Sequence, residues 1–323
     1  MKILLFSDLH LYDKSADIVF KEVFPGLEKA LYSNNIKTLV CLGDFYHIRY
    51  KIDALLQNNT FNWFKKLVNN GVVVYLLTGN HDQINDNGDN SLEVYNEIKG
   101  VSVISKPMVN ELGVWFPYRK DLACYENYNI SGRAVCFAHI GIKGFLMQNF
   151  IFDTNGLSPE FFKNLIVLCG HYHKRQSIGN IHYIGSTHQI DAGESLANTG
   201  YTIFDYETGK LDFINSGWGR HFYKMCNIPE GSSITGVRSG DVIKITPPDS
   251  VTDLISYKKS LNIPEGVECI IDLYRNNNAQ RLLTNDNSFE SYVKAYVKQF
   301  KDNLDEKLLF EIFEDIKKET GLC

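Results

Sequence analysis

The ten residues TLVCLGDFYH, positions 38–47, join a short apolar run to a glycine, a carboxylate and an imidazole. Thr38–Leu42 has the length and near-continuous hydrophobicity of a strand buried on both faces. Gly43-Asp44 stops it, and His47 follows. The same arrangement lies on either side. KILLFSDLH (2–10) is a run, Lys2–Phe6, that ends at Asp8 and His10, and VVVYLLTGNHD (72–82) is a run, Val72–Leu77, that ends at Asn80, His81 and Asp82. Helical patterns separate the runs. Asp17–Asn34 is one, with Pro25 expected to kink or break it. Asp53–Asn69 is the other, stopped by Gly71. Strands alternating with helices imply βαβ units and parallel, buried strands, hence an α/β fold.

Further along the chain strands dominate: Val101–Ile104, Val114–Pro117, Ala134–Ala138, Leu165–Cys169 and His182–Ile184. Tyr201–Tyr206 and Lys210–Ile214 flank Glu207-Thr208-Gly209, a hairpin signal. After about Gly217 the texture changes. Val242–Ile245, a helix-like Thr252–Ser260 and Glu268–Tyr274 make a small α/β unit, Asn276–Ser288 reads as a polar linker, and Phe289–Thr320 as two amphipathic helices. The expected domains are 1–217, 218–280 and 281–323.

With 323 residues, 44% apolar and 22% charged, the chain can bury a large core, which excludes wholesale disorder. A net charge of −5 argues against coating nucleic acid by bulk charge. It leaves nucleic acid open as a substrate, since bound metal ions supply positive charge locally. No run approaches the roughly 18 apolar residues of a membrane span, and the N-terminus reads as a first strand and not as a secretory signal. The seven cysteines are scattered without a C-x-x-C pair, as in a cytoplasmic protein with reduced thiols.

Five loops follow strand-like runs and carry polar residues. Besides Asp8-Leu9-His10, Gly43–His47 and Gly79–Asp82, they hold His139 and Gly170-His171-Tyr172-His173. Ligands of α/β sheets bind beyond the carboxyl ends of strands, so these loops converge. Imidazole and carboxylate without thiolate suit Mn²⁺, Fe or Zn²⁺. Asp8, His10, Asp44, Asn80, His139, His171 and His173 are too many donors for one tetrahedral ion. They fit two metals that share a carboxylate, and such a pair, about 3.5–4 Å apart, serves in-line phosphoester hydrolysis. His47 and His81 remain beside the phosphate, where one could protonate the leaving oxygen. Singly, each loop reads as turn chemistry, and Gly79-Asn80 alone could be a hairpin turn. Five in order, each closing an apolar run, have no such explanation. His182, His188 and His221 read as structural or surface histidines. A calcium loop around Asp86 and Asp89 fails, because Gly88 as the loop glycine puts Gln83 first and Val94 at the acidic last position.

This set resembles the calcineurin-like metallophosphoesterase superfamily. The resemblance implies a four-layer αββα sandwich, with Asp8, His10, Asp44 and His173 on one metal and Asp44, Asn80, His139 and His171 on the other. The serine/threonine phosphatases continue G-D-x-x-D and G-N-H-E. Here Gly43–His47 and Gly79–Asp82 are instead similar to SbcD-type DNA-repair exonucleases, including phage recombination nuclease subunits. Tyr183-Ile184-Gly185-Ser186, continuing to Gly193-Glu194, is similar as well. In that family the residue matching His81 donates a proton to the leaving 3′ oxygen, and the one matching His47 orients the scissile phosphodiester. Also implied are two divalent ions (Mn²⁺ foremost, with Mg²⁺, Fe or Zn²⁺ open), exonuclease and endonuclease action on DNA in repair or recombination, a homodimer, a small α/β capping domain, and a C-terminal helical hairpin that docks an SMC-like ABC ATPase of the SbcC type.

Phe289, Tyr292, Val293, Tyr296, Val297 and Phe300 recur at helical spacing, as do Leu308, Leu309, Ile312, Phe313 and Ile316. These stripes either pack on each other or fill a partner's groove. Arg49, Lys51, Lys174 and Arg175 flank the polar loops and read equally as backbone-phosphate contacts and as solvated charge. Two rivals stand beside the nuclease: a two-metal phosphatase or small-molecule (cyclic-nucleotide) phosphodiesterase, and a non-catalytic scaffold. His47 and the C-terminal segments argue against the first, and the complete donor set with His81 against the second.

Overall fold

A computed structural model describes residues 1–272 except 127, 129, 131, 133, 149, 150 and 196. Met1–Ile271 form one compact unit. The expected linker at 276–288, the helices of 289–320, and so the whole 281–323 segment lie outside the described residues.

The strands in chain order are β1 (Lys2–Phe6), β2 (Thr38–Cys41), β3 (Val73–Leu77), β4 (Val101–Ile104), β5 (Met108–Val109), β6 (Val114–Phe116), β7 (Val135–His139), β8 (Leu146–Gln148), β9 (Ile151–Phe152), β10 (Ile166–Gly170), β11 (Gln176–Ile178), β12 (Ile181–Tyr183), β13 (Gly200–Asp205), β14 (Leu211–Asn215), β15 (Phe222–Cys226), β16 (Val242–Thr246) and β17 (Glu268–Ile271). Among the described residues they build two six-stranded sheets, β14-β13-β1-β2-β3-β4 and β11-β12-β10-β7-β6-β5. β1 to β4 run parallel, as the apolar runs imply, and β13 closes antiparallel on β1. In the second sheet β6, β7, β10 and β12 are parallel.

The layers follow from side-chain alternation, since successive strand residues face opposite sides. Ile3, Leu5, Val40 and Leu42 join Trp115, Phe137 and Leu168 in a core between the sheets. Their neighbours Leu4, Phe6, Leu39 and Cys41 face outward onto Phe24, Leu27, Trp63 and Phe64 of two helical segments. On the far side, Val114, Phe116, Cys136 and Ala138 are covered by Tyr125, Phe145 and Phe162. That outer layer holds only short helical turns, Ala123–Glu126 and Pro159–Phe162, among the described residues.

Helix Ala54–Asn69 starts where Asp53 accepts from the Leu55 and Leu56 N–H groups, satisfying donors that would otherwise be orphaned. The first helical segment is not broken at Pro25. Ala16–Ile18 passes into a wide π turn, Val19–Val23, and then into Phe24–Ser33 with Pro25 in its first turn. Proline lacks the N–H for an i→i−4 bond, and the wide turn just before it absorbs the mismatch. Phe24 then stacks on Trp63 at 3.6 Å between ring centroids.

The Glu207-Thr208-Gly209 turn joins β13 to β14 as an antiparallel hairpin. Past it, β15, β16 and β17 form a parallel three-stranded sheet with helix Leu254–Ser260 and its own core of Ile243, Ile245, Val251 and Tyr257. β15 is absent from the sequence reading because FYKMC buries only Phe222 outright and so lacks an apolar run.

Candidate metal centre

The active-looking loops sit at the C-terminal ends of β1, β2, β3, β7 and β10, which the parallel registers align. Main-chain bonds lace them together. Asp8 N–H donates to Gly43 O at 3.0 Å, His10 N–H to Asp44 O at 3.0 Å, and His47 N–H to Leu11 O at 3.1 Å. Asp8, His10, Asp44 and His171 have φ of +50°, +48°, +52° and +92°, a left-handed region that costs an L-residue energy unless its surroundings enforce it. Two glycines make the convergence sterically feasible. A Cβ on Gly79 would lie 2.1 Å from Asp44 Oδ1, and one on Gly43, itself at φ +99°, 2.1 Å from His139 Nδ1.

All seven expected ligands come together. Asp8, His10 and His173 offer donor atoms within 4.8 Å of one another, as do Asp8, Asp44 and His139. His139 Nδ1–H donates to Leu42 O at 2.6 Å, so its Nε2 faces Asn80 Oδ1 at 3.2 Å and Asp44 Oδ2 at 3.4 Å. His171 Nδ1 lies 2.9 Å from the same Asn80 oxygen. On the other side His10 Nε2 sits 3.2 Å from His173 Nε2 and 3.7 Å from Asp44 Oδ2, with Asp8 Oδ1 3.9 Å from His173 Nε2. A buried imidazole lone pair aimed at carboxylate and amide oxygens is repulsive unless a positive charge lies between them. The donor set therefore fits divalent cations, with Asp8 in both groups and Asp44 Oδ2 lying between His139 and His10.

In the metal-free protein protons fill that role. Burial opposes charge on His139, but Asp44 and Asp8 raise its pKa to about 9. Burial likewise opposes charge on His173, and Glu194 and Asp8 raise it to about 9. Burial then the charge of His139 push His171 down to about 3, and burial holds His10 well below its usual value. Burial raises Asp8, whereas Asp44 stays far below the usual carboxylate range, its burial outweighed by His139 and His10. A metal must displace protons held to about pH 9 on His139 and His173. Mn²⁺ affinity is therefore expected to rise with pH between about 6.5 and 8.5, by about tenfold per unit for each proton displaced. Calorimetry across that window checks it, and a flat profile contradicts it.

His47 and His81 lie at the mouth, their rings stacked 5.4 Å apart. His81 Nδ1–H donates to His47 O at 2.8 Å, and its backbone N–H to Asp44 Oδ1 at 2.7 Å. His47 Nδ1 lies 3.1 Å from His10 Nδ1. Of the cationic candidates, Lys51 and Lys174 are exposed and Arg49 half-buried, with its charge acting on Tyr118 beside His171. The Arg175 guanidinium is engaged inside the fold: Nε–H donates to Ile184 O, an Nη1–H to Asn215 Oδ1, and the group lies over Phe213.

Sequence reasoning gave no role to Asp82. It is fully buried, and its carboxylate accepts from the Phe45, Tyr46 and Gly79 N–H groups, tying the Asp44 loop to the Asn80 loop. Burial and the nearby Asp44 raise its pKa to about 7 against those three donations. The available signal was a carboxylate in a loop already supplied with a candidate ligand, Asn80, and a further histidine, His81.

The sequence profile of the calcineurin-like phosphoesterases matches residues 1–197. The chain belongs to that family. It is thus a metal-dependent phosphoesterase built on the metallophosphoesterase sandwich. It is 28% identical to exonuclease subunit 1 of Enterobacteria phage T4 over 240 residues, 69% of this chain and 70% of that protein. Two solved structures overlap it at 15% identity: Pseudomonas putida nuclease MPE (TM-score 0.36, 65% of this chain, 85% of that one) and YfcE, a phosphoesterase from E. coli (TM-score 0.33, 67% and 100%). No helix among the described residues is long and apolar enough to cross a membrane.

Proposed function

We propose that this family member is a Mn²⁺-dependent DNA nuclease of the SbcD type, cleaving phosphodiesters by exonuclease and endonuclease action in repair or recombination. The observation that carries the reading is the pairing of a seven-donor acid–imidazole cluster with two further histidines, His47 and His81, stacked at its mouth. The likeness to the phage exonuclease subunit supports it. Asp8, His10, Asp44 and His173 would hold one ion, and Asp44, Asn80, His139 and His171 the other. Bound there, the ions supply positive charge to the phosphodiester and acidify water to a nucleophile near neutral pH.

The chain's own groups do the rest. With Nε2 of His10 committed to the cluster, its Nδ1–H donates to His47 Nδ1, so His47 carries its proton at Nε2 and offers it to a phosphate oxygen. His81 keeps Nδ1–H on His47 O, so Nε2 is its exchanging position, from which a proton passes to the leaving 3′ oxygen. Arg49, Lys51 and Lys174 are the candidates for backbone phosphates, with Arg175 contributing through the fold that it braces. Residues 218–280 would cap the 1–217 nuclease domain, and 281–323 would dock an SMC-like ABC ATPase, with the nuclease domain pairing into a homodimer.

The test is a Mn²⁺ titration of the full chain with labelled linear duplex DNA and with bis-p-nitrophenyl phosphate. DNA cleavage that falls sharply in Asn80→Ala and, by about 10²-fold or more, in His81→Ser is expected. Hydrolysis of the small diester alone, with DNA intact even beside the ATPase, sinks the nuclease reading. Ending the chain at Asn287 is expected to spare DNA cleavage and abolish binding to the ATPase coiled coil, as read by pull-down. Retained binding removes the docking role from the C-terminal segment.

A further inference from the structure

Glu194 lies on the 186–197 segment between β12 and β13, and no step above uses it. Its side chain is 10% exposed, a costly position for a carboxylate unless donors surround it. Oε2 accepts from Ile190 N–H at 2.9 Å and from the Ser186 hydroxyl at 3.3 Å, both on Glu194's own segment. Oε1 has a different partner: Nδ1–H of His173, at 2.5 Å, on the loop after β10. The segment also grips that loop through Ser186 N–H, which donates to His173 O at 3.0 Å.

We propose that Glu194 is the positioning residue of His173, fixing Nδ1 as the nitrogen that bears hydrogen and so presenting Nε2 to the Asp8–His10 group. The inference rests on the metal reading above. An imidazole ligand with nothing at its second nitrogen can rotate and exchange tautomers. A carboxylate at that nitrogen locks ring and tautomer and raises ligand basicity. The geometry has that form, since among the described residues the one side-chain bond of Glu194 outside its own segment ends on a candidate ligand. Glutamine at 194 would match the size but not the pattern. Its single acceptor oxygen cannot serve both Ile190 N–H and His173 Nδ1–H. With its nitrogen toward His173, the ring would have to keep its proton at Nε2, facing the cluster.

The experiment is Mn²⁺ calorimetry on the full chain for wild type, Glu194→Gln, His173→Ala and the double variant, with metal-free thermal unfolding of each. In Glu194→Gln one of two binding events is expected to weaken by about 10–100-fold, the other to hold, and the metal-free midpoint to stay near wild type. In the double variant, the glutamine is expected to add nothing to His173→Ala, because Glu194 acts through that ring. Two intact binding events in Glu194→Gln overturn the proposal. So does equal weakening of both with a fallen midpoint, or a full additive loss in the double variant; these mark a brace for the segment only. Should Glu194→Gln fail to fold, Ser186→Ala, which removes one donor to Oε2, is expected to weaken the same single event more mildly, and no change there overturns the role. A wild-type chain that binds no Mn²⁺ overturns the metal reading itself, and the Glu194 role with it.

Discussion

Replacing His81 by Ser is expected to lower DNA turnover by about 10²–10⁴-fold, the range of a lost general acid, while both Mn²⁺-binding events keep wild-type affinity. The main-chain N–H of residue 81, which donates to Asp44 Oδ1 at 2.7 Å, survives the substitution, so the shared carboxylate stays held. What disappears is the ring, whose Nδ1–H is fixed on His47 O and whose Nε2 is the remaining proton carrier. The leaving group gives a second readout. A 3′ alkoxide needs a proton as it departs, whereas p-nitrophenolate is a stable anion. The loss should therefore be far larger on DNA than on bis-p-nitrophenyl phosphate, with kcat affected more than KM. Equal losses on the two substrates, or loss of metal, remove the proton-donor role.

The contrast between His81 and Asp82 shows what a sequence reveals of such a site. Candidate ligands announce themselves by residue type: Asp8, Asp44, Asn80 and His171 each follow an apolar run, and parallel pairing aligns the ends of those runs. Both sheets were legible for the same reason, because strands buried on both faces are apolar throughout. The strands β5, β8, β9, β11 and β15 were not, although the edge strands β4 and β14 and the cap strands β16 and β17 were. β15 and β11 show mixed burial and carry no run. The second ring of groups was hidden too. Asp82 and Glu194 meet backbone N–H groups and the far nitrogen of a candidate ligand, and those partners are fixed only by how distant loops fold onto each other. The passage through Pro25 was hidden because a wide turn rescues the helix, and no residue type signals a wide turn.

Asp44→Asn is expected to remove more than any other single change: both Mn²⁺ events weakened by more than about 100-fold, beyond the 10–100-fold of a lost outer partner, and DNA cleavage below detection. Asparagine is the informative substitute. Residue 44 sits at φ +52°, a conformation asparagine tolerates and alanine does not, so the backbone keeps its path. The amide oxygen can still accept from His81 N–H, so the Asn80–His81 loop stays docked. The charge goes, and so does the oxygen that both groups face, since an amide nitrogen takes the place of Oδ2, which lies 3.4 Å from His139 Nε2 on one side and 3.7 Å from His10 Nε2 on the other. Asn80→Ala, by contrast, touches donors of the His139–His171 group alone and should weaken one event. If Asp44→Asn retains one ion at wild-type affinity, Asp44 serves a single group. The two clusters are then independent sites, and a shared carboxylate no longer sets the distance between two ions acting on one phosphate.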